Sequence, residues 1–188
     1  MTNDAGTDDV TPDTKDWSWV LRHPCPDCGF DPAGASAHVV GGRIADALTP
    51  WPEILAAPGA AARPAPGAWS PLEYGCHLRD VCTVFAARLS SMLEDDDPTF
   101  PDWDQDAAAV AGRYGSADPG EVARSLDGAG KRLAARFAEL APHELERPGR
   151  RSDGAVFTAG SLGQYLLHEL VHHAWDARQY RTLSHRGT

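Results

Sequence analysis

Two histidines stand four residues apart near the end of the chain, at positions His168 and His172 of the segment HELVHHAWDARQ. Residues at this spacing lie on one face of an α-helix, one turn apart. A third histidine, His77, lies in an earlier segment with its own helix-start signal. Three imidazoles that leave one coordination position open are typical of catalytic zinc sites; buried histidines that only form hydrogen bonds are the alternative. The neighbouring His173 is rotated by about 100° and is expected to face elsewhere.

The residue types constrain the metal only loosely. Neutral imidazole binds zinc, iron, nickel and copper, so zinc is the expected ion, with nickel or iron as alternatives. The letters HELVH also fit the HExxH pattern of metalloproteases, in which Glu169 would act as the general base. A metalloprotease also needs a third ligand downstream and a supporting sheet, and the sequence indicates neither.

Two carboxylates are placed to support the histidines. Asp80 follows His77 by three residues, and Asp176 follows His172 by four. Either could accept the second ring N–H of a ligand histidine and so orient the ring. Ion pairing with neighbouring arginines, or solvation, is the alternative.

Four further side chains are candidate substrate contacts. Arg79 and Arg178 could clamp a substrate carboxylate, and an ordinary surface ion pair is the alternative for each. Tyr165 and Trp175 share a helix stripe with the candidate histidines and are expected to line a pocket, with core packing as the alternative.

The cysteines raise a separate question. Cys25 and Cys28 form a CPDC motif in a loop rich in proline. The motif could supply two ligands of a structural zinc knuckle, with His23 as a candidate third, or a redox pair, or two unrelated thiols. Cys76 and Cys82 are about 240° apart around a helix, so they cannot share one metal ion.

The composition is that of one globular domain. The chain has 188 residues and a formal net charge of −10. Most of the negative charge lies in residues 1–16, an expected disordered segment, and in residues 94–106, an expected solvated loop, so no basic surface for nucleic acid is indicated. A secretory signal and a membrane span are not evident, and we expect a cytoplasmic protein with reduced thiols.

Helix signals then indicate the elements that must position the candidate residues. We expect a helix near residues 33–48, ended by Trp51–Pro52, and one that opens with the capping box at Ser70. A third starts after Asp118, and a fourth is capped by Thr158 or Ser161. Residues 58–68 read as a linker and 147–157 as a turn or short hairpin. The sequence predicts an all-α domain over residues 17–184, a four-helix bundle with long connections and an N-terminal CxxC loop.

The order and context of these motifs resemble those of the DinB/YfiT-like superfamily of metal-binding four-helix bundles. The likeness covers most of residues 20–182 and rests on WSPLEYGCHLRDV and YLLHELVHHAWDARQ. That family binds a divalent metal through one histidine of its second helix and an HxxxH of its last. The resemblance therefore implies His77, His168 and His172 as the metal ligands.

The resemblance also implies a class of chemistry. The superfamily includes enzymes that use mycothiol, bacillithiol or glutathione in transfer and isomerisation reactions. A metal with an open position lowers the pKa of a bound thiol and presents a thiolate nucleophile at neutral pH. The high alanine, glycine, proline and arginine content resembles that of actinobacterial proteins, whose usual thiol is mycothiol.

Two hypotheses about function follow. In the first, the chain is a metal-dependent enzyme that activates a low-molecular-weight thiol or water for transfer, isomerisation or hydrolysis of a small molecule. In the second, it is a non-catalytic metal-containing stress or binding protein, or a bundle that binds a partner through the acidic residues 94–106. A homodimer is compatible with both.

Overall fold

The computed structural model describes residues 17–184, and side chains as far as residue 179. The segment 1–16, for which the sequence predicts disorder, lies outside the described residues. The helices are α1 Val40–Leu48, α2 Trp51–Ala56, α3 Pro71–Glu94, α4 Gln105–Ala111, α5 Pro119–Ala138 and α6 Ala159–Ser184. The strands are β1 Thr99–Phe100, β2 Pro148–Arg151 and β3 Val156–Thr158. Across this described range, the helices are all too short or too polar to cross a bilayer.

Four of the helices form a bundle, which confirms the predicted all-α architecture. Both α1 and α3 pack against α5 and α6, so α1 and α3 occupy opposite corners of the bundle. The core between them contains both aromatic and aliphatic side chains, and α1, α3, α5 and α6 in turn contribute the buried Ile44, Leu89, Leu133 and Leu166. Each such side chain contributes about 1.5–3 kcal/mol through burial.

The long helices begin where their capping signals predict. The Ser70 hydroxyl accepts a hydrogen bond from the Glu73 amide at 3.2 Å, and the Glu73 carboxylate accepts from the Ser70 amide at 2.8 Å. Asp118 accepts from the amide three residues later at 2.7 Å, at the start of α5. Thr158 does the same for α6 at 3.1 Å. These bonds satisfy amides that have no partner within the first helical turn.

The first helix departs from its predicted bounds. The predicted helix starts near residue 33, but two short 3-10 turns, Pro32–Gly34 and Ala37–Val39, precede α1, which begins only at Val40. Trp51–Pro52 was expected to end the helix, but it opens α2 instead. Proline is accepted in a first helical turn because the N–H that it lacks would have no partner there.

The segment after α3 contains more structure than the predicted solvated loop. Within residues 94–106, β1 pairs in parallel with β2, which forms an antiparallel hairpin with β3. That hairpin confirms the turn or hairpin predicted at 147–157. The buried Arg88 donates to the Pro101 carbonyl oxygen at 3.2 Å, and its guanidinium contacts the rings of Phe85 and Phe100. Arg88 thus holds the acidic segment against α3.

The N-terminal loop docks on the outer face of α6. Cys25, Phe30 and Ala35 pack with Leu167 in a small buried cluster apart from the main core. Gln164 donates a hydrogen bond from its side-chain amide to the Ala35 carbonyl oxygen at 3.0 Å. As a result α6 is covered on two sides, by the bundle and by this loop.

Candidate metal centres

A cavity of about 1280 Å³ opens between the N-terminal loop, α6 and residues 102–106. Its lining is rich in aromatic side chains: Trp17, Trp69, Tyr74, Trp103, Tyr165 and Trp175. It is also rich in carboxylates: Asp27, Asp102, Asp104, Asp106, Asp153, Glu169 and Asp176. Apart from histidines, Arg151 is the one basic side chain among the described residues of the lining, and it is paired with Asp153 at 2.6 Å. The histidines of α6 reach the floor of this cavity.

The first candidate centre joins α3 to α6. His77, Glu169 and His173 each bring one ligand atom into a group whose members lie within 4.8 Å of one another. The Glu169 carboxylate oxygen Oε2 is 3.4 Å from His173 Nε2 and 3.8 Å from His77 Nε2. Two histidines and one carboxylate that leave positions open are a ligand set of catalytic zinc and non-haem iron sites. We call these three residues the facial site.

The charges of the facial site are strongly coupled. Burial by itself would raise the pKa of Glu169, but His173 and His77 outweigh it and hold that pKa well below its usual range. Burial opposes the charged form of His173, yet Asp176 and Glu169 raise the pKa of His173 to about 9. Burial lowers the pKa of His77. These shifts favour a charged Glu169 carboxylate against a protonated His173.

A carboxylate outside the facial site orients one of its histidines. Asp176 lies 3.0 Å from His173 Nδ1, on the side of the ring opposite to Glu169. This contact places a proton on Nδ1 and leaves Nε2 free to bind a metal ion, as in carboxylate–histidine–metal arrangements.

Aromatic rings enclose the facial site. Trp103 stacks on His77 with ring centroids 5.4 Å apart, and Trp69 lies 5.1 Å from the same ring. Tyr74 stacks on His173 at 5.0 Å. Such contacts restrict the rotation of both imidazoles and exclude water from one side of the site.

The second candidate centre joins the N-terminal loop to α6. Cys25, Cys28, His168 and His172 bring four ligand atoms within 4.8 Å of one another. Cys25 Sγ lies 3.6 Å from His172 Nδ1. Burial raises the pKa of Cys28 to about 12 and lowers that of His168 to about 4. We call these four residues the CCHH site.

The structure corrects the predicted grouping of the histidines. His77 does not meet His168 and His172; it meets His173, with ring centroids 4.9 Å apart. His173, expected to face elsewhere, points toward α3. The reason is geometric: positions 168 and 172 lie about 100° around α6 from positions 169 and 173, and it is the second pair that faces α3. Glu169, considered only as a general base, becomes a candidate ligand.

Both centres pass a simple test of fit to a metal ion. The two ring nitrogens of His77 have no hydrogen-bond partner among the described residues, and the same is true of His168, although both residues are 1 % exposed. A buried polar atom without a partner costs about 1–3 kcal/mol. A bound cation would give one nitrogen of each ring a ligand bond, so the donor sets fit a metal.

The predicted supporting residues separate into two classes. Asp176, expected to orient His172, lies nearer to His173, at 3.0 Å from His173 Nδ1 and 3.8 Å from His172 Nε2. Asp80 instead pairs with Arg79 at 2.7 Å and accepts a hydrogen bond from the Tyr114 hydroxyl at 2.5 Å. Arg79 and the exposed Arg178 are not among the residues that line the cavity. The ion pair considered for Arg79 is therefore present.

Tyr165 and Trp175 both line the cavity, as predicted. Trp175 also packs against His172, with ring centroids 5.7 Å apart. His23, considered as a knuckle ligand, is exposed and outside both groups. Cys76 and Cys82 are buried and belong to the main core.

Sequence reasoning missed the facial site although its signal was present. Glu169 and His173 are separated by four residues, the same spacing as the histidine pair. A glutamate and a histidine at this spacing share one helix face, and this pairing of a carboxylate with an imidazole was the signal for the site.

Comparison with known proteins identifies the architecture. The model of the DinB superfamily matches residues 44–177. A solved structure, YfiT from Bacillus subtilis, superposes with a TM-score of 0.61 at 20% sequence identity, covering 77% of this chain and 87% of that one. YfiT is described as a probable metal-dependent hydrolase with an unusual four-helix bundle topology. None of the curated proteins matches the chain by sequence.

Proposed function

The chain belongs to the DinB superfamily, and from that premise we propose that it is a metal-dependent hydrolase whose divalent ion is held by His77, Glu169 and His173. The observation that carries the proposal is the buried His77 ring, which has no hydrogen-bond partner within the described side chains of residues 17–179 and faces a carboxylate and a second imidazole. Two histidines and a glutamate form the ligand set of several hydrolytic zinc enzymes. The description of YfiT as a probable metal-dependent hydrolase agrees with this assignment.

The facial site uses only three protein ligands, which leaves room for a reactant. When bound there, a divalent ion acts as a Lewis acid that lowers the pKa of a water or thiol at its open position. Glu169 and His173 line the cavity, so this position would be accessible from that side.

The protein side chains have distinct tasks in this proposal. Asp176 holds the Nδ1 proton of His173 and so directs Nε2 toward the site. Trp69 and Trp103 pack against His77 and keep it from rotating. The negative charge of Glu169 offsets part of the charge of the ion. Together these contacts arrange the ligands before substrate binds.

The lining of the cavity indicates the class of substrate. Carboxylates outnumber the single arginine, and that arginine is already paired with Asp153. An anionic substrate would be repelled, whereas a neutral or cationic one with apolar or ring-shaped parts could stack on Trp17 and Trp175. We therefore propose a neutral or cationic small molecule as the substrate.

The size of the cavity favours a second candidate, in which a low-molecular-weight thiol such as mycothiol is a co-substrate. The volume of about 1280 Å³ exceeds the roughly 300–1,000 Å³ of a typical single-ligand site. A thiol and an acceptor could therefore bind together, and the reaction would be a transfer or isomerisation.

Hydrolysis by the metal-loaded protein tests the first proposal. Zinc-, nickel- and manganese-loaded protein is assayed against neutral and cationic amides and esters. We expect turnover that disappears with a chelator and falls by more than about 100-fold in His77→Ala, because loss of a ligand exceeds the 10–100-fold cost of losing a supporting residue.

A matched variant controls for the loss of a histidine as such. His143 is exposed and outside both candidate centres, so His143→Ala should keep full activity. The hydrolase proposal would be contradicted if His77→Ala bound as much metal as the wild type, or if turnover were insensitive to chelator.

Thermal unfolding with added thiol tests the second candidate. A thiol that stabilises the folded protein by about 2.7 kcal/mol at 100 times its Kd, in protein that shows no hydrolysis, would support the thiol-dependent candidate.

A further inference from the structure

The N-terminal loop, which carries the CPDC motif, and α6 bring together four donors that the proposed hydrolase site does not use. Cys25 and Cys28 come from the loop, and His168 and His172 come from one face of α6. We propose that these four residues bind a structural zinc ion that fastens the N-terminal loop to the last helix. This site is distinct from the facial site, because every one of its ligands differs.

The distances between donors fit a tetrahedral ion. Zinc–sulfur and zinc–nitrogen bonds of about 2.3 and 2.1 Å, at a tetrahedral angle, place a sulfur and a nitrogen about 3.6 Å apart. Cys25 Sγ and His172 Nδ1 are separated by 3.6 Å. The remaining pairs lie within 4.8 Å, so only small side-chain rotations are needed to close the site.

The loop has the backbone turn that directs two cysteines to one side. The Gly29 amide donates to the Cys25 carbonyl oxygen at 3.0 Å, and the Cys25 amide donates to Phe30 at 2.8 Å. Gly29 has a φ of +73°, a left-handed conformation that glycine adopts without strain. The turn therefore depends on the residue that directly follows Cys28, and it presents both sulfurs toward α6.

Burial and donor type select a closed zinc site. Cys25 and His168 are each 1 % exposed, and His172 is 8 % exposed. Two thiolates and two imidazoles are a common ligand set of structural zinc, and the two thiolate charges neutralise the ion. All four positions are supplied by protein, so the ion would have no open position for a substrate.

A redox role for the cysteines leaves part of this arrangement unexplained. Joining Cys25 and Cys28 in a disulfide would use both sulfurs and require an oxidant. His168 would then keep two buried ring nitrogens that have no hydrogen-bond partner in the part of the chain that the structure describes. A zinc ion accounts for the thiols and the histidines at once.

The proposed ion also relates to the facial site through α6. Glu169 and His173 each follow a CCHH ligand by one residue, so fastening positions 168 and 172 to the loop fixes the rotation of this helix turn. Asp176 lies between the centres, 3.0 Å from His173 Nδ1 and 3.8 Å from His172 Nε2. The zinc ion would thus hold the facial ligands in place without contacting substrate.

Metal counting on the full-length protein tests the proposal. We expect wild-type protein, purified under reducing conditions and saturated with zinc, to contain two ions per chain, and Cys25→Ser/Cys28→Ser to contain one fewer. Cys82→Ser, which changes a buried cysteine of the main core, should keep the wild-type count. An unchanged zinc count in the double variant would overturn the proposal.

Cobalt(II) gives a readout that identifies the ligands. Cobalt bound to thiolates shows an intense sulfur-to-metal absorption band in the near ultraviolet, and tetrahedral cobalt shows strong visible bands. We expect the thiolate band in the wild type and in His77→Ala, and its loss in the double cysteine variant. Loss of the thiolate band in His77→Ala would refute two separate sites, whereas wild-type protein that shows the band but no turnover would contradict only the hydrolase proposal.

Thiol protection covers the case in which the double variant does not fold. In wild-type protein with zinc, Cys25 and Cys28 should resist alkylation and react after a chelator is added, while the core cysteines stay protected. Equal reactivity with and without chelator, or isolation of a Cys25–Cys28 disulfide from reduced protein, would reject the structural zinc.

Discussion

Asp176 offers the sharpest test of how the facial site is organised. It is 3.0 Å from His173 Nδ1, and this histidine presents its other nitrogen to Glu169. Removing the carboxylate by Asp176→Ala lets the ring change tautomer and rotate. Loss of such an orienting carboxylate costs about 10–100-fold in metal affinity. That range corresponds to about 1.4–2.7 kcal/mol of binding free energy.

A matched control comes from the other carboxylate that the sequence offered. Asp80 lies one turn from His77, but its oxygens are engaged by Arg79 and by the Tyr114 hydroxyl. Asp80→Ala should therefore reduce the free energy of unfolding by about 1–3 kcal/mol, because it leaves the hydroxyl of the buried Tyr114 without its acceptor. It should not change the affinity of the facial site.

Chelator-buffered zinc provides the assay. Metal per chain is measured after dialysis against a series of free zinc concentrations, and the cobalt thiolate band reports separately on the CCHH site. We expect Asp176→Ala to shift the midpoint of the facial ion by 10–100-fold, with a smaller effect on the CCHH ion because His172 Nε2 is 3.8 Å away. Equal midpoints for Asp176→Ala and the wild type, or an equal shift in Asp80→Ala, would refute the reasoning.

Two further predictions concern stability. A Cβ at Gly41 would lie 2.7–2.9 Å from atoms of α5, mostly backbone, so Gly41→Ala should destabilise the protein by about 1–3 kcal/mol in denaturant unfolding. Gly42→Ala meets nothing within 4 Å and should stabilise it by about 0.5–1 kcal/mol; equal effects at both positions would contradict the packing of α1 on α5. Burial would raise the pKa of Glu73, but hydrogen bonds from Arg63 and Ser70 outweigh it and hold that pKa below its usual value. The stability that this carboxylate contributes is present above its unfolded pKa of about 4.3 and is lost as pH falls through its folded pKa. Arg63→Ala should therefore destabilise the protein by about 1–3 kcal/mol at pH 7 and by less at acid pH. A pH-independent difference in the free energy of unfolding would show that the Arg63–Glu73 pair contributes no charge interaction.

Local signals in the sequence were sufficient for most of the fold. Ser70, Asp118 and either Thr158 or Ser161 were predicted to start the three longest helices, and Ser70, Asp118 and Thr158 accept the expected amide hydrogen bonds. The prediction worked because capping involves groups only three residues apart. The prediction was less accurate at Trp51–Pro52, which was expected to end the first helix and instead begins α2.

Metal binding by the three predicted histidines stays a prediction, and the structure divides these residues between two groups. His77, His168 and His172 are all buried residues of candidate metal centres. The spacing of His168 and His172 correctly placed both on one face of α6. It could not reveal that this face meets the CPDC loop, which lies about 140 residues earlier in the chain.

The sequence by itself determined the residue types that could bind metal, the helices that carry them and the four-helix architecture, because each follows from interactions within a few turns of the chain. Only the tertiary structure decided the partners. Leu166 and Leu170 on one side of α6 and Leu167 on another are all buried, because the bundle and the N-terminal loop cover different faces of this helix. Because α6 has apolar residues on several faces, the periodicity of its sequence does not show which histidine faces α3. A difference of about 100° around the helix places His173 in the facial site and His172 in the CCHH site.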